Sequence, residues 1–316
     1  MICLLHLALS NILPIENAMK IEQVLAHSPR VLSQLQRKKY FDQGYLFIED
    51  LILEDEVQRL REVTKEFVER SRHENASGST FDLAPSHSPD IPKIRRIKRP
   101  DVQHETYWNF AMGKIADLAA DLVGPDVVFH HSKLNFKWND GMDEVQWHQD
   151  IQFYPHTNYS SLTIGIFLED TGMDDGAVAV IPKSHEGPLY DLYNEDNVWV
   201  GHLKDVDIDR LDIDSAEYLN GPAGSITVHN CRTVHSSLPS KSTAMRPLLL
   251  NSYNAADAKP YTPHPYPSKH TGELVRGQPA RWVDHDPRPC LLPPDWSGGY
   301  TSIFAAQAEE DQTLTS

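Results

Sequence analysis

Hydrophobic positions recur with two different periods along the chain, and the change falls just after Val123. Between Glu54 and Arg70, Val57, Leu60, Val63, Thr64 and Phe67 fall at helical spacing. That predicts an amphipathic helix, with Glu54, Asp55 and Glu56 in the first turn, where the helix dipole favours acids. The apolar stripe itself reads as core packing. A shorter helix is expected over Val31 to Phe41, ended by Gly44 and followed by a strand at Tyr45-Leu-Phe-Ile. A second long helix is expected from His104 to Val123, closed by Gly124-Pro125.

From Val127 onward the pattern becomes short strands separated by turn residues. Strands are predicted near Val127–Trp138, Glu144–Phe153, Leu162–Glu169, Val178–Pro182, Ser225–Asn230 and Pro247–Tyr253. Helices first and then a run of strands argue for an α+β protein: an antiparallel jelly roll with flanking helices. The stretch Ser71 to Asp90 is rich in Ser, Pro, His and Asn and reads as a long loop, either a lid or a disordered segment. The run Lys93-Ile-Arg-Arg-Ile-Lys-Arg99 would, as a strand, put Ile94 and Arg96 on one face and Arg95 and Ile97 on the other. A solvated edge strand is the commoner reading of such a run. An anion-binding wall is the functional one.

Composition narrows the class without naming a function. The chain has 316 residues, with 29 Lys+Arg against 45 Asp+Glu and a formal net charge of −16. A field of that sign repels nucleic acid and anionic membranes, so neither is expected as a partner. Cys3, Cys231 and Cys290 form no CxxC or paired framework, which fits a reducing, cytoplasmic compartment. The apolar N-terminal stretch is too short to span a bilayer and lacks a basic leader. Residues 1–20 are read as a poorly ordered or spurious extension ahead of a working start at Met19, residues 21–304 as one domain with its jelly-roll core at about 127–254, and residues 305–316 as a flexible tail.

The chemistry centres on Trp147-His-Gln-Asp150. Residues i and i+2 of a strand share a face, so His148 and Asp150 project together and Trp147 and Gln149 point away. Alone, such a pair is more often a polar strand face than a metal site. Two His and one carboxylate around open positions, however, make the non-haem Fe(II) oxygenase triad. A second imidazole must then return from a distant strand. The segment Gly224-Ser-Ile-Thr-Val-His-Asn-Cys-Arg-Thr-Val-His-Ser-Ser offers His235, with His229 as runner-up. Arg246 opens a later strand, and a buried Arg offers a planar fork for a carboxylate. An oxidising iron site needs electrons, which a chelating 2-oxo acid anchored on Arg246 would supply.

The order Ser132-Lys-Leu-Asn-Phe-Lys, Trp147-His-Gln-Asp, Gly176-Ala-Val-Ala-Val-Ile-Pro-Lys-Ser-His185, Val234-His-Ser-Ser-Leu-Pro-Ser and Arg246 resembles the phytanoyl-CoA dioxygenase family, which includes ectoine hydroxylases. The resemblance implies a double-stranded β-helix that uses Fe(II), O₂ and 2-oxoglutarate, oxidises a small-molecule substrate and releases succinate and CO₂. It makes His148, Asp150 and His235 the metal ligands. Arg246 and Ser237 would hold the distal carboxylate of 2-oxoglutarate. Asn135, and His131 where ectoine hydroxylases carry Gln, would face the cosubstrate. Retention of Asp150 argues against halogenation. Arg95, Arg96, Gln152 and Tyr154 are the candidate substrate residues, and Pro293–Tyr300 a candidate cover. The competing reading is a cupin-like metal binder or isomerase, which would give Arg246 no role. Neither substrate nor oligomeric state is readable from the chain.

Overall fold

A computed structural model describes residues 21–139, 144–296, 303, 304 and 307. The calls on residues 1–20, on Ser297–Tyr300 and on all of the tail except Gln307 lie outside these. Strands β1 (Tyr45–Ile48), β2 (Phe81–Leu83), β3 (Ile94–Lys98), β4 (Val127–Lys137), β5 (Val145–His148), β6 (Ser161–Phe167), β7 (Val178–Val180), β8 (Glu217–Leu219), β9 (Ile226–Asn230), β10 (His235–Ser237), β11 (Arg246–Ala255) and β12 (Leu274–Arg276) form two antiparallel sheets. The larger runs β1-β9-β6-β11-β4-β3-β2, with β12 also on β4; the smaller runs β5-β10-β7-β8. This is the jelly roll expected, and the larger sheet also recruits strands on both sides of residues 127–254.

The alternation of side chains along the larger sheet decides what each face does. Ile164 and Ile166 of β6, Val228 of β9, Leu134 and Phe136 of β4 and Leu249 and Tyr253 of β11 are buried in one apolar core. That core includes Leu60 and Phe67 of the helix Glu54–Ser71 and Ile115 and Leu118 of the helix Lys114–Val123. The intervening positions, Thr163, Thr227, His229, Lys133, Asn135 and Leu248, line a cavity instead. One face is therefore sealed by helices, and the other is left to polar chemistry.

Several local expectations are corrected. The helix over His104–Val123 is two helices, Glu105–Met112 and Lys114–Val123, because Gly113 (φ −80°, ψ −135°) leaves helical geometry between them. The first of the expected helices runs Gln34–Gln43, started by the Ser33 side chain capping Gln36 N–H and ended by Gly44 at φ 83°. The strand over Glu144–Phe153 stops at His148, and Asp150–Gln152 form a 3₁₀ turn. The loop from Ser71 to Asp90 is not all lid, since Phe81–Leu83 pair with β3. Nor is the basic run a solvated edge: β3 lies between β2 and β4, with Arg96 and Lys98 buried.

The segment before Gln34 is fixed by one carboxylate. Asp121 accepts hydrogen bonds from the backbone N–H groups of Arg30, Val31 and Leu32 at 2.7, 2.8 and 2.8 Å. Asp121→Ala would leave these donors unpaired beside a buried helix. It should lower the unfolding free energy by about 3 kcal/mol in urea titration, without changing the slope of the transition.

Candidate metal centre and its two chambers

His148 and His235 are direct cross-strand partners on β5 and β10. Their rings lie 4.1 Å apart between centroids. Each Nδ1 is engaged by a backbone carbonyl two residues back: Gln146 O at 2.8 Å for His148 and Thr233 O at 2.9 Å for His235. The Nδ1–H tautomer that this requires leaves both Nε2 lone pairs free. Both Nε2 atoms sit 3.9 Å from Asp150 Oδ1. Asp150 keeps the face that a strand would give it because Gln149 remains extended (φ −118°, ψ 141°) before the 3₁₀ turn. Gln149 itself points away and donates to Arg232 O at 2.7 Å. The three donor atoms lie within 4.8 Å of one another and are buried, so the set fits a divalent cation with open positions.

The second oxygen of Asp150 faces the other way. Thr163 Oγ1 donates to Oδ2 at 3.0 Å, and His229 Nε2 lies 3.3 Å from it. His229 thus braces the carboxylate rather than completing the triad. Burial alone would raise the Asp150 carboxyl. The hydrogen bond from His229 and the nearby His235 and Lys133 outweigh it and hold the group well below the usual carboxylate range. Burial also drives the histidines toward neutrality: His148 falls to about 4, and His235 falls well below its ordinary value.

Two chambers meet at this centre, sharing Lys133, Asp150 and Ile303. The first holds His148, His235, Ser237, Asn135 and Arg246, with Leu248, Leu250 and Val178 as apolar wall. Arg246 is 4% exposed. Its Nη2 donates to Gly176 O at 2.8 Å and its Nε to Asp175 O at 3.3 Å. Gly176 has φ +75°, and a Cβ there would meet Leu238 O at 2.7 Å as well as the Lys137 side chain, so glycine is needed for residue 176 to turn its own carbonyl to the guanidinium. Ile303 and Phe304 also line this chamber.

The second chamber holds Arg96, Lys98, Arg99, His131, Tyr154, His264 and Tyr266. His131 and Asn135 are thereby separated: Asn135 faces the Arg246 side, His131 the other. Arg96 and Tyr154 reach a chamber wall, whereas Arg95 and Gln152 line neither. Gln152 instead donates to Gln149 Oε1 at 2.6 Å and Tyr190 O at 3.0 Å, bracing the segment behind the ligands. Lys98 and Arg99 belong to the basic run whose functional reading was an anion-binding wall, whereas Lys133, His264 and Tyr266 were not singled out from sequence. For Lys133 a signal was present, since it alternates with Asn135 on a predicted strand; His264 sits in a loop with no periodicity to place it.

Comparison with known proteins agrees with this geometry. The family model described as Phytanoyl-CoA dioxygenase (PhyH) matches residues 40–248. A protein of Stutzerimonas stutzeri named "Probable alpha-ketoglutarate-dependent hypophosphite dioxygenase" is 36% identical over 71% of this chain and 79% of its own length. An "Ectoine dioxygenase" of Stutzerimonas stutzeri (strain A1501) is 27% identical over 68% of this chain and 74% of its own. Among solved structures, that of EctD from S. alaskensis with 2-oxoglutarate and 5-hydroxyectoine superposes with TM-score 0.62 at 21% identity, covering 86% of this chain and 94% of that one. The same protein with bound Fe gives TM-score 0.65 at 20% identity, over 80% and 90% of the two chains.

The buried neutral histidines predict acid lability. His130, His131, His148, His156, His235 and His264 all have depressed folded-state pKa values. The unfolded chain therefore binds more protons than the folded one below the ordinary histidine range near 6.5. Stability of the metal-free protein should be fully present above that value and fall progressively from there to about pH 4, where His148 begins to charge in the folded state. Thermal unfolding of chelator-treated protein between pH 7.5 and 4.5 checks this; a flat midpoint would contradict it.

Proposed function

The chain belongs to the phytanoyl-CoA dioxygenase family and is an Fe(II)- and 2-oxoglutarate-dependent dioxygenase; we propose that His148, Asp150 and His235 hold its iron and that Arg246 anchors its 2-oxoglutarate. One observation carries the assignment of residues: two freed imidazole lone pairs and one carboxylate oxygen converge in the same chamber that buries an arginine. Bound iron with 2-oxoglutarate supplies the oxidising chemistry: the 2-oxo acid is decarboxylated to succinate and CO₂ as O₂ is reduced, with one oxygen atom passing to the substrate.

The chain's own residues bind, orient and exclude water. Carbonyls of Gln146 and Thr233 fix the tautomer and aim of both imidazoles, as outer partners of metal-bound histidines commonly do. Thr163 and His229 occupy Asp150 Oδ2, leaving Oδ1 toward the histidines. Arg246 and Lys137, direct partners across β11 and β4, both line the first chamber, a cationic wall that suits a carboxylate of 2-oxoglutarate. The carbonyls of Asp175 and Gly176 hold the Arg246 fork in place, and Ser237 lines the same chamber. Leu248, Leu250 and Val178 give the same chamber apolar wall that excludes water.

We read residues 21–304 as one oxygenase domain acting on a small-molecule substrate. A cytoplasmic setting suits Cys231 and Cys290, which stand as free thiols. No described helix is long and apolar enough to cross a membrane.

The test is succinate release from 2-oxoglutarate by Fe(II)-reconstituted protein under air. Asp150→Ala should abolish it. Arg246→Ala should raise the KM for 2-oxoglutarate by about thirtyfold or more, the cost of removing one partner of a buried charge pair. Succinate formation that survives Asp150→Ala, or that is indifferent to Arg246→Ala, would contradict the residue assignment. A protein that binds metal but never turns over 2-oxoglutarate would be the metal binder instead.

A further inference from the structure

The second chamber concentrates positive charge in a chain whose net charge is −16. Arg96, Lys98, Arg99 and Lys133 all line it, and Asp150, already committed to the metal side, is the one carboxylate among the described lining residues. Lys98 and Lys133 are register partners on β3 and β4. Like charges directly opposite across an antiparallel pair are destabilising, so this placement needs an offset. Asp82 lies near Lys98 and supplies part of it. Arg96 is held by Asn135 Oδ1 at 2.9 Å, which orients the guanidinium without neutralising it. Burial among these cations pushes the Lys133 ammonium down from its ordinary range, with Asp150 opposing.

Unused donors face the same space. His264 Nε2 is buried without a hydrogen-bond partner among the described residues, the Tyr154 hydroxyl lies beside Asp150 and Thr163 without a well-formed hydrogen bond to either, and both residues line the chamber. His264 Nδ1 accepts from Tyr266 N–H at 2.9 Å, so the proton of the neutral ring sits on Nε2. That also decides how to read the cluster His130, His131 and His264, whose geometry alone would admit a metal ion. His264 has no free lone pair to give, and the Nδ1 atoms of His130 and His131 lie 2.7 Å apart, sharing a hydrogen bond. The cluster arises because Phe129 pairs with Tyr253 and His131 with Ser252, leaving His130 as the extra residue of a β-bulge. Bulges re-aim side chains in this way beside functional sites. The cluster thus builds a wall of neutral imidazoles, and the chamber it borders offers donors and cations.

We propose that this chamber is the substrate site and that the substrate carries a tetrahedral oxyanion, a phosphinate or phosphonate, held by Lys133, Arg96, Lys98 and Arg99 with the Tyr154 hydroxyl and the His264 Nε2–H. The inference rests on the iron and 2-oxoglutarate reading above, which assigns the Arg246 chamber to the cosubstrate. Each chamber contains a pair of cations facing one another across strands, Arg246 with Lys137 and Lys98 with Lys133. One pair answers the 2-oxoglutarate carboxylate and the other answers the substrate. Lys133 and Asp150 belong to both chambers, so an oxyanion seated there lies next to the metal centre. The donors come from β3, β4, Tyr154 and the 264–266 loop, a three-dimensional spread that suits oxygens set tetrahedrally about phosphorus, three of them in a phosphonate, better than the two oxygens of a carboxylate, which lie in one plane with its carbon.

Calorimetric titration of the Fe(II)- and 2-oxoglutarate-loaded protein without oxygen tests this, using hypophosphite, methylphosphonate and acetate as separate probes. Saturable one-to-one binding of the two phosphorus oxyanions, tighter than acetate, is expected. Lys133→Gln and, independently, Arg99→Gln should each weaken it about tenfold or more, the loss of one hydrogen bond to a charged group. Binding of 2-oxoglutarate, followed in the same samples, tests the underlying reading separately; it also reports folding for Arg99→Gln, which lies outside the cosubstrate chamber, while circular dichroism reports folding for Lys133→Gln, which lines both. No binding of either oxyanion, equal binding of acetate, or affinity unchanged in both folded variants overturns the inference. Oxyanion binding by protein that takes up no 2-oxoglutarate would uphold the chamber and contradict the cosubstrate assignment instead.

Discussion

A single buried carboxylate sets the terms for the rest of this molecule. Asp150 is 3% exposed, and an unpaired charge at that depth would cost several kcal/mol. Its two oxygens are treated differently. Oδ2 is occupied by Thr163 and His229. Oδ1 faces two imidazoles whose outward nitrogens are tied to carbonyls and whose inward nitrogens carry lone pairs. Lone pairs turned toward an anion are unfavourable unless a cation lies between them, and this arrangement therefore specifies a metal ion more sharply than a count of ligands does.

The sheets carry this requirement outward. Because β-strands alternate faces, the larger sheet can bury Leu134, Phe136, Ile164 and Val228 under helices while presenting Lys133, Asn135, Thr163 and His229 to the interior. The smaller sheet places His148 opposite His235. The result is a centre with a cationic chamber on each side, inside a protein whose overall charge is negative. Overall charge here describes the surface, and local charge describes the site.

Much of the site was legible in the chain because strand alternation is a local rule. His148 and Asp150 were placed on one face from their spacing alone, and Asn135 and Arg246 fell on predicted strands that do reach the first chamber. The rule held at Asp150 for a narrower reason than expected: the strand had ended, and only the extended Gln149 preserved the alternation. What was not legible depends on long-range pairing. The basic run near Arg96 looked like a solvated edge because nothing local reveals that β2 covers one side of it and β4 the other. Likewise, no local pattern marks the bulge at His130 or brings His264 from its loop to that strand. The break at Gly113 was hidden by an apolar pattern that continues across it. Gln152 followed the ligands closely in sequence, yet its 3₁₀ turn aimed it behind them.

The measurement that bears most directly on the metal centre is an anaerobic titration of metal-stripped protein with Fe(II) and 2-oxoglutarate, followed by the charge-transfer absorbance of a chelated 2-oxo acid. One equivalent of each should be required. The signal should vanish in His235→Ala and persist, with weaker affinity, in His229→Ala, since the proposed assignment makes His235 a ligand and His229 a brace for Asp150. A signal that survives loss of His235 and disappears with His229 would contradict the assignment of the triad.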